Sequence, residues 1–369
     1  MFCRTQMKKE FMDISIMTAL NQGLMWGILA MGVFISFKVL DFADMTCEGS
    51  IALGGALTAI TLQAGLHPIL AVIFSLLGGA CAGLITGLLH TKLRIPPILS
   101  GILTMTALYS INLRIMDDRA SITMLNCKTL TSSLTQALVD GGLLYKYSVQ
   151  VSNLIIASIF VAVVIGFIYW FFGTEFGCSI RATGMNPKMC RAQGINTNTT
   201  IIVGLMLSNA LIALAGCLIS QMQFNTTVSM GTGAIVIGLA SIIIGEALTG
   251  KKFSFWAKLI MLVVGSMLYR LVITLILMIP AFNTNDLKLL TAIIVAVALA
   301  IPAMKNGAGP LMQKLFGKKD KGEEMALATN EGVDVVADED AINLDDEIAT
   351  EEKNEDVFED VECEKGEEA

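Results

Sequence analysis

VSNLIIASIFVAVVIGFIYWFF, residues 151–172, and IIVGLMLSNALIALAGCLISQM, residues 201–222, are both free of charge. Each is about as long as a helix must be to cross a bilayer, roughly 20 residues. Between them lies GTEFGCSIRATGMNPKMCRAQGINTNTT, residues 173–200, the longest clearly polar interruption in the second half of the chain. This insert carries Arg181, Lys188 and Arg191 against one acid, Glu175. It reads as two short helices. The first covers about 178–183 and stops at Gly184. Asn186-Pro187 opens the second, because an Asn side chain caps a helix whose first position is proline. That helix runs to about Gln193, where Gly194 provides a C′ stop. A compact helix-turn-helix knob between two membrane spans suggests a docking surface.

The same pattern extends outward. Of 369 residues 54% are apolar and only 15% charged, against about 25% in soluble proteins. The apolar runs are continuous and do not alternate, which excludes a transmembrane β-barrel. The expected fold is therefore an all-α polytopic membrane protein of about nine spans, at 14–37, 51–64, 69–89, 95–115, 151–172, 201–222, 233–248, 259–279 and 287–304. The second is short, and LDFADMTCEGS before it holds Asp41, Asp44 and Glu48. Residues 39–64 thus read as a broken or re-entrant span, whose irregular backbone must line protein or water.

Charge divides the chain. From residue 320 on, 21 acids face 3 bases, a net −18; the rest holds 22 bases and 11 acids, a net +11. Four regions follow: a polar arm 1–13, a transmembrane domain 14–305, a basic juxtamembrane segment 306–319, and an acidic tail 320–369 that reads as disordered. Positive loops mark the cytoplasmic side. Loops 90–94, 173–199, 250–258 and 305–319 then place the 173–200 insert and the C-terminus inside the cell membrane. If both early segments cross, the N-terminus ends outside; if the broken region does not cross fully, it stays inside. Residues 14–37 are too long for a signal-peptide core and read as a retained span.

No catalytic set and no metal cluster can be assembled. The two histidines, His67 and His90, sit at span ends. The eight cysteines form no C-x-x-C pair and read as small hydrophobes. Gly245-Glu-Ala-Leu-Thr-Gly250-Lys251-Lys252 lacks the final Ser or Thr of a phosphate-binding loop and follows an apolar helix, not a strand. The chain is expected to hold no cofactor and no nucleotide site of its own, and nothing suggests nucleic acid.

Asp44 and Glu48, four apart, share a face if helical. They form either a polar pathway or ion site, as intramembrane acids often do, or a cap that orients the break. Thr104, Tyr109 and Asn112 either bond between helices or line a solute route. Gly79, Gly83 and Gly87 let helices approach closely, inside one bundle or between copies. Gly231-Thr232-Gly233 reads as a helix start or a close backbone approach. Glu246 is expected to pair with Lys251 or Lys252, and Arg270 has no evident partner.

Three stretches carry a resemblance: QGLMWGILAMGVFISFKVLDFADMTCEGSIALGGAL at Gln22–Leu57, TKLRIPPILSGILTMTALYSINLRIM at Thr91–Met116, and RATGMNPKMCRAQGIN at Arg181–Asn196. Together with VIGLASIIIGEAL at 236–248, and in this order, they resemble the integral membrane permeases of ATP-binding-cassette importers. The superfamily is that of branched-chain amino acid and ribose permeases, and the second stretch is similar to its tryptophan/tyrosine-type amino-acid subgroup. The resemblance covers about residues 15–305. It implies a cytoplasmic ATPase-coupling loop with Arg181, Gly184, Asn186, Pro187, Ala192, Gly194 and Ile195 in the expected pattern. It also implies separate ATPase subunits holding ATP and Mg, an extracytoplasmic solute-binding protein, and a second permease copy in a homodimer. Lys188-Met189-Cys190 departs from the acidic or alanine-rich step common there, and the acidic tail lies outside the pattern.

The leading expectation is a permease subunit moving a small neutral or zwitterionic solute, with an amino acid suggested by the subgroup. The candidate pathway is Asp44, Glu48, Thr104, Tyr109 and Asn112. One alternative is an ion-coupled secondary transporter using Asp44 and Glu48. Another is a membrane scaffold or sensor acting through its acidic tail.

Overall fold

The computed structural model describes residues 2–125, 127–140, 145–249, 254–277, 291–292 and 296. The ninth predicted span, the basic segment and the acidic tail lie outside this set, apart from residues 291–292 and 296, which are helical.

The elements run α1 (Phe2–Phe34), a π-helical turn (Ile35–Val39), α2 (Thr46–Gln63), α3 (Pro68–Leu93), α4 (Pro97–Ile115), β1 (Ser121–Thr123), α5 (Leu130–Asp140), α6 (Tyr145–Gly173), α7 (Glu175–Met185), α8 (Pro187–Ala192), α9 (Thr197–Gln223), β2 (Asn225–Thr227), α10 (Ala234–Thr249) and α11 (Phe255–Leu277). Among the described residues, six helical stretches are long and apolar enough to cross a membrane: Ile14–Val39, Pro68–Leu93, Pro97–Ile115, Tyr147–Gly173, Thr197–Gln223 and Phe255–Leu277. The chain is thus a polytopic helical membrane protein. The predicted seventh span is a shorter apolar helix, Ala234–Leu248. The predicted second span is α2, 18 residues long and buried along most of its length.

Among the described residues, one strand pair departs from the all-helical reading, and one boundary from the predicted spans. Residues 121–123 and 225–227 pair as antiparallel strands, Ile122 opposite Thr226. The polar stretch before the fifth span also holds α5, and α6 begins before residue 151.

Helix α9 is the axis of the bundle. Its buried face runs from Leu205 to Gln221, and α1, α2 and α3 pack around it. The predicted glycine row lies within this one chain: a Cβ on Gly79 would meet the Asn209 carbonyl, one on Gly83 the Leu205 carbonyl, and one on Gly87 the Ile202 Cα at 3.0 Å. Lipid tails are as apolar as leucine, so close backbone packing of this kind holds membrane helices together. The outer faces stay apolar. Ile73 and Leu77 on α3, Ile98 and Ile102 on α4, and Ile159 and Val163 on α6 are exposed, as a helix facing lipid requires.

Candidate functional site: a broken helix, its cavity and the loop beneath

Helix α1 ends in a π-helical turn, in which Leu40 N–H donates to Ile35 O at 3.0 Å and Phe42 N–H to Ser36 O at 2.9 Å. Asp41 then takes a left-handed conformation, φ 53°, which Asp tolerates better than most residues. The chain restarts at α2, and Asp44 holds that restart in place. Its Oδ1 accepts from the Thr46 N–H at 2.9 Å, and its Oδ2 accepts from Asn209 Nδ2 at 2.6 Å. Asn209 Oδ1 in turn accepts from Ser50 Oγ at 2.6 Å. Thr46 donates to Thr86 Oγ1 at 2.7 Å, because Thr86 already donates to Ala82 O. Every member of this buried network has a partner, the condition under which buried polar groups rigidify a fold.

The condition for a face shared by Asp44 and Glu48, that both be helical, is not met. Asp44 precedes α2 and is fully buried against α9, so the helical spacing does not apply. Of the two readings of these acids, Asp44 follows the capping one. Glu48, one turn further, points elsewhere. Its Oε1 accepts from the Gly233 N–H at 2.9 Å, at the left-handed glycine (φ 81°) that precedes α10. The predicted close backbone approach is real at Gly231, where a Cβ would meet the Glu48 carbonyl.

Glu48 opens on a cavity of about 230 Å³ between α2, α4 and the segment before α10. Thr106, Tyr109 and Asn112 line it from α4, and Ser229 and Thr232 from the opposite side. The structure therefore brings together three of the five predicted pathway residues, Glu48, Tyr109 and Asn112. It separates Asp44, which serves the break, and Thr104, which is buried and donates to Ser100 O at 3.0 Å on its own helix. Asn112 is 1% exposed; its Nδ2 donates to Gly49 O at 3.3 Å, and its Oδ1 has no partner among the described residues. Sequence reading missed Ser229 and Thr232, which stand in a loop far from α4 in sequence. It also missed Asn209, an ordinary-looking polar residue inside an apolar span.

On the other side of the break lies the predicted knob. Asn186 Oδ1 accepts from the Met189 N–H at 3.0 Å, the expected cap of α8, and Gly194 takes φ 81° at its end. The stop at Gly184 is corrected: α7 continues through it to Met185 and ends at Asn186, whose backbone is extended before Pro187. Gly184 is needed for another reason. A Cβ there would run into the Val39 carbonyl and lie 3.0 Å from the Leu40 Cα, so α7 rests directly on the backbone of the break.

Asn186, Pro187, Ala192 and Gly194 are exposed, Gly184 and Ile195 half-buried. Arg181 is folded inward: it donates to Phe172 O at 2.8 Å and its guanidinium sits 5.5 Å from the Phe255 ring centre. Met185, 88% exposed, and Met189, 44% exposed, supply an apolar tip to the knob. Their signal was a methionine on either side of Asn-Pro-Lys. Beside the knob, His90, Arg94, Arg191 and Ile195 line a cavity of about 600 Å³.

Two charges left open by the sequence find partners. Glu246 pairs with Lys38 of the π-helical turn at 3.1 Å, where Lys251 or Lys252 was expected; those two lysines lie outside the described residues. Arg270 lies over the Trp26 ring, 4.2 Å from its centre. Among the described residues an aromatic face meets this cation.

Known proteins place the chain. Residues 15–299 match the family described as branched-chain amino acid transport system, permease component. A tyrosine transport system permease protein of Clostridioides difficile is 37% identical over 309 residues, covering 83% of this chain and 98% of that protein. An uncharacterised protein of Rickettsia prowazekii is 30% identical over 288 residues, 77% of this chain and 96% of the other. A ribose import permease protein of Bacillus subtilis is 25% identical over 257 residues, 69% of this chain and 76% of the other. The broken helix, its cavity and the knob below it are thus parts of a chain that belongs to the branched-chain amino acid transport system permease family.

Proposed function

We propose that this chain is the transmembrane permease subunit of an ATP-binding-cassette importer that carries a small solute, an amino acid, across the cell membrane. A cytoplasmic ATPase subunit, which holds ATP and Mg, docks on residues 181–196. An extracytoplasmic binding protein delivers the solute, and a second copy of this chain completes the pathway. The knob and the C-terminus face the cytoplasm, as the distribution of basic loops suggests. An aromatic amino acid is the favoured solute, since the relative named for tyrosine transport aligns along 98% of its own length.

One observation carries the mechanism: α7 packs through Gly184 on Val39 and Leu40, the backbone of the break. A push on the knob therefore reaches a segment already poised between two helices. From there Asp44 and Thr46 lead to α9 and α3, and Glu48 leads to the cavity and the start of α10. ATPase subunits that bind one arrangement of the knob better than another shift the permease between states by that difference in affinity.

The ion-coupled alternative needs a carboxylate pair able to bind an ion together. Both Asp44 oxygens are engaged by Thr46 and Asn209, which favours the ATP-driven reading. The test is uptake of L-tyrosine into proteoliposomes holding this chain with its ATPase and binding protein. ATP-dependent accumulation that stops when the ATPase is omitted is the expected result. Uptake driven by a proton or sodium gradient with this chain alone would overturn the proposal.

A further inference from the structure

The cavity above the break has one-sided chemistry. Glu48 brings a carboxylate whose Oε2 has no protein donor among the described residues, and no basic side chain lines the cavity. Asn112 lines the same space almost fully buried, and its acceptor Oδ1, itself covered, has no donor among the described residues. Its amide orientation is fixed by the bond from Nδ2 to Gly49 O, since the opposite orientation would set two carbonyl oxygens against each other. A buried acceptor without a donor is costly, roughly 1–3 kcal/mol, and is uncommon enough in folded proteins to call for a cause. Thr106, whose hydroxyl proton goes to Leu103 O, adds an acceptor, Ser229 and Thr232 add hydroxyls that both donate and accept, and Tyr109 adds an aromatic ring.

We propose that Glu48 and Asn112 together form a recognition site for the solute's ammonium group within the permease itself. An ammonium carries three donors and a positive charge. It can pair with the free Glu48 oxygen, while the Gly233 N–H keeps the other Glu48 oxygen in position, and a small separation of α2 and α4 uncovers the Asn112 acceptor for a second bond. This rests on the reading of the cavity as part of the solute pathway and adds a second checkpoint after the binding protein. The permease then distinguishes an amine from a des-amino analogue of the same shape.

The test uses the purified full-length chain and two probes, tyramine and 3-(4-hydroxyphenyl)propionate. Ligand-dependent thermal unfolding gives an apparent affinity for each, because a ligand that binds only the folded state raises its stability. Tyramine is expected to raise Tm in a saturable way, and the des-amino acid is not. Glu48→Gln retains an oxygen for the Gly233 N–H and removes only the charge. Asn112→Leu removes the orphaned acceptor while keeping an apolar fit. Each is expected to weaken tyramine about tenfold or more, with Tm in the absence of ligand close to the unsubstituted chain. Equal stabilisation by both probes, none by tyramine, or unchanged tyramine affinity in both variants would overturn the site. The two proposals fail separately. ATP-driven L-tyrosine uptake that survives in both variants keeps the importer and removes the ammonium site. Amine binding lost in the variants, with no ATP-driven uptake by the unsubstituted chain, does the reverse.

Discussion

Asp44 shows how little freedom a buried charge has. In sequence it is one acid among three in an apolar region, and either a pathway or a cap fits that description. The choice is made by Asn209, which lies 165 residues further along and carries no local signal. Asp44→Ala leaves the Thr46 N–H without its acceptor and strips Asn209 of its carboxylate partner. The expected cost is of the order of 2 kcal/mol or more, seen as a lower unfolding temperature in detergent. An unchanged Tm would mean that the network is incidental to the restart of α2. Arg270 makes the same point from the other direction. Its contact is the ring of Trp26, 4.2 Å away, which charge pairing along the sequence does not announce.

Among the described elements, α3 and α9 form the most extensive seam. Its glycine spacing was legible in advance, because a four-residue repeat of small residues in an apolar helix has one main use. Whether the seam lay within one chain or between two copies was not, since either geometry satisfies the same spacing. Gly83→Leu should force α3 away from the Leu205 backbone and cost about 1–3 kcal/mol or more. The readout is loss of the monodisperse peak and a fall in Tm; a variant as stable as the parent would remove this seam from the account. Helix α7 gives the opposite lesson. Gly184 looked like a local stop, and the helix passes through it. The glycine answers a tertiary demand, the Val39 carbonyl beneath it, and local propensity carries no record of a neighbour 145 positions away. The Asn186 cap and the Gly194 turn were readable because both are local.

Across the whole molecule, membrane class and most span positions followed from the length and continuity of the apolar runs. Composition does not encode the cavity. Glu48, Tyr109 and Asn112 were singled out as polar residues in apolar helices, but Ser229 and Thr232 reach the same space from a loop that looks ordinary in sequence. The larger arrangement is a line of contacts from the knob through the break to the cavity: Met185 and Met189 at the tip, Gly184 on Val39, Asp44 and Thr46 at the restart, and Glu48 one turn beyond. The proposed transport cycle depends on that line being stiff. Its most direct test is to loosen the joint at Gly184 and compare ATP hydrolysis with uptake. Gly184→Leu must push α7 off the Val39 carbonyl and lower Tm; in the variant that still reconstitutes as monodisperse protein with its ATPase and binding protein, ATP hydrolysis should continue while uptake per ATP falls about tenfold or more. Gly184→Ala should fall in between. A Gly184→Leu permease that imports as much solute per ATP as the parent would contradict the account, and the knob would then be only a connector between two spans.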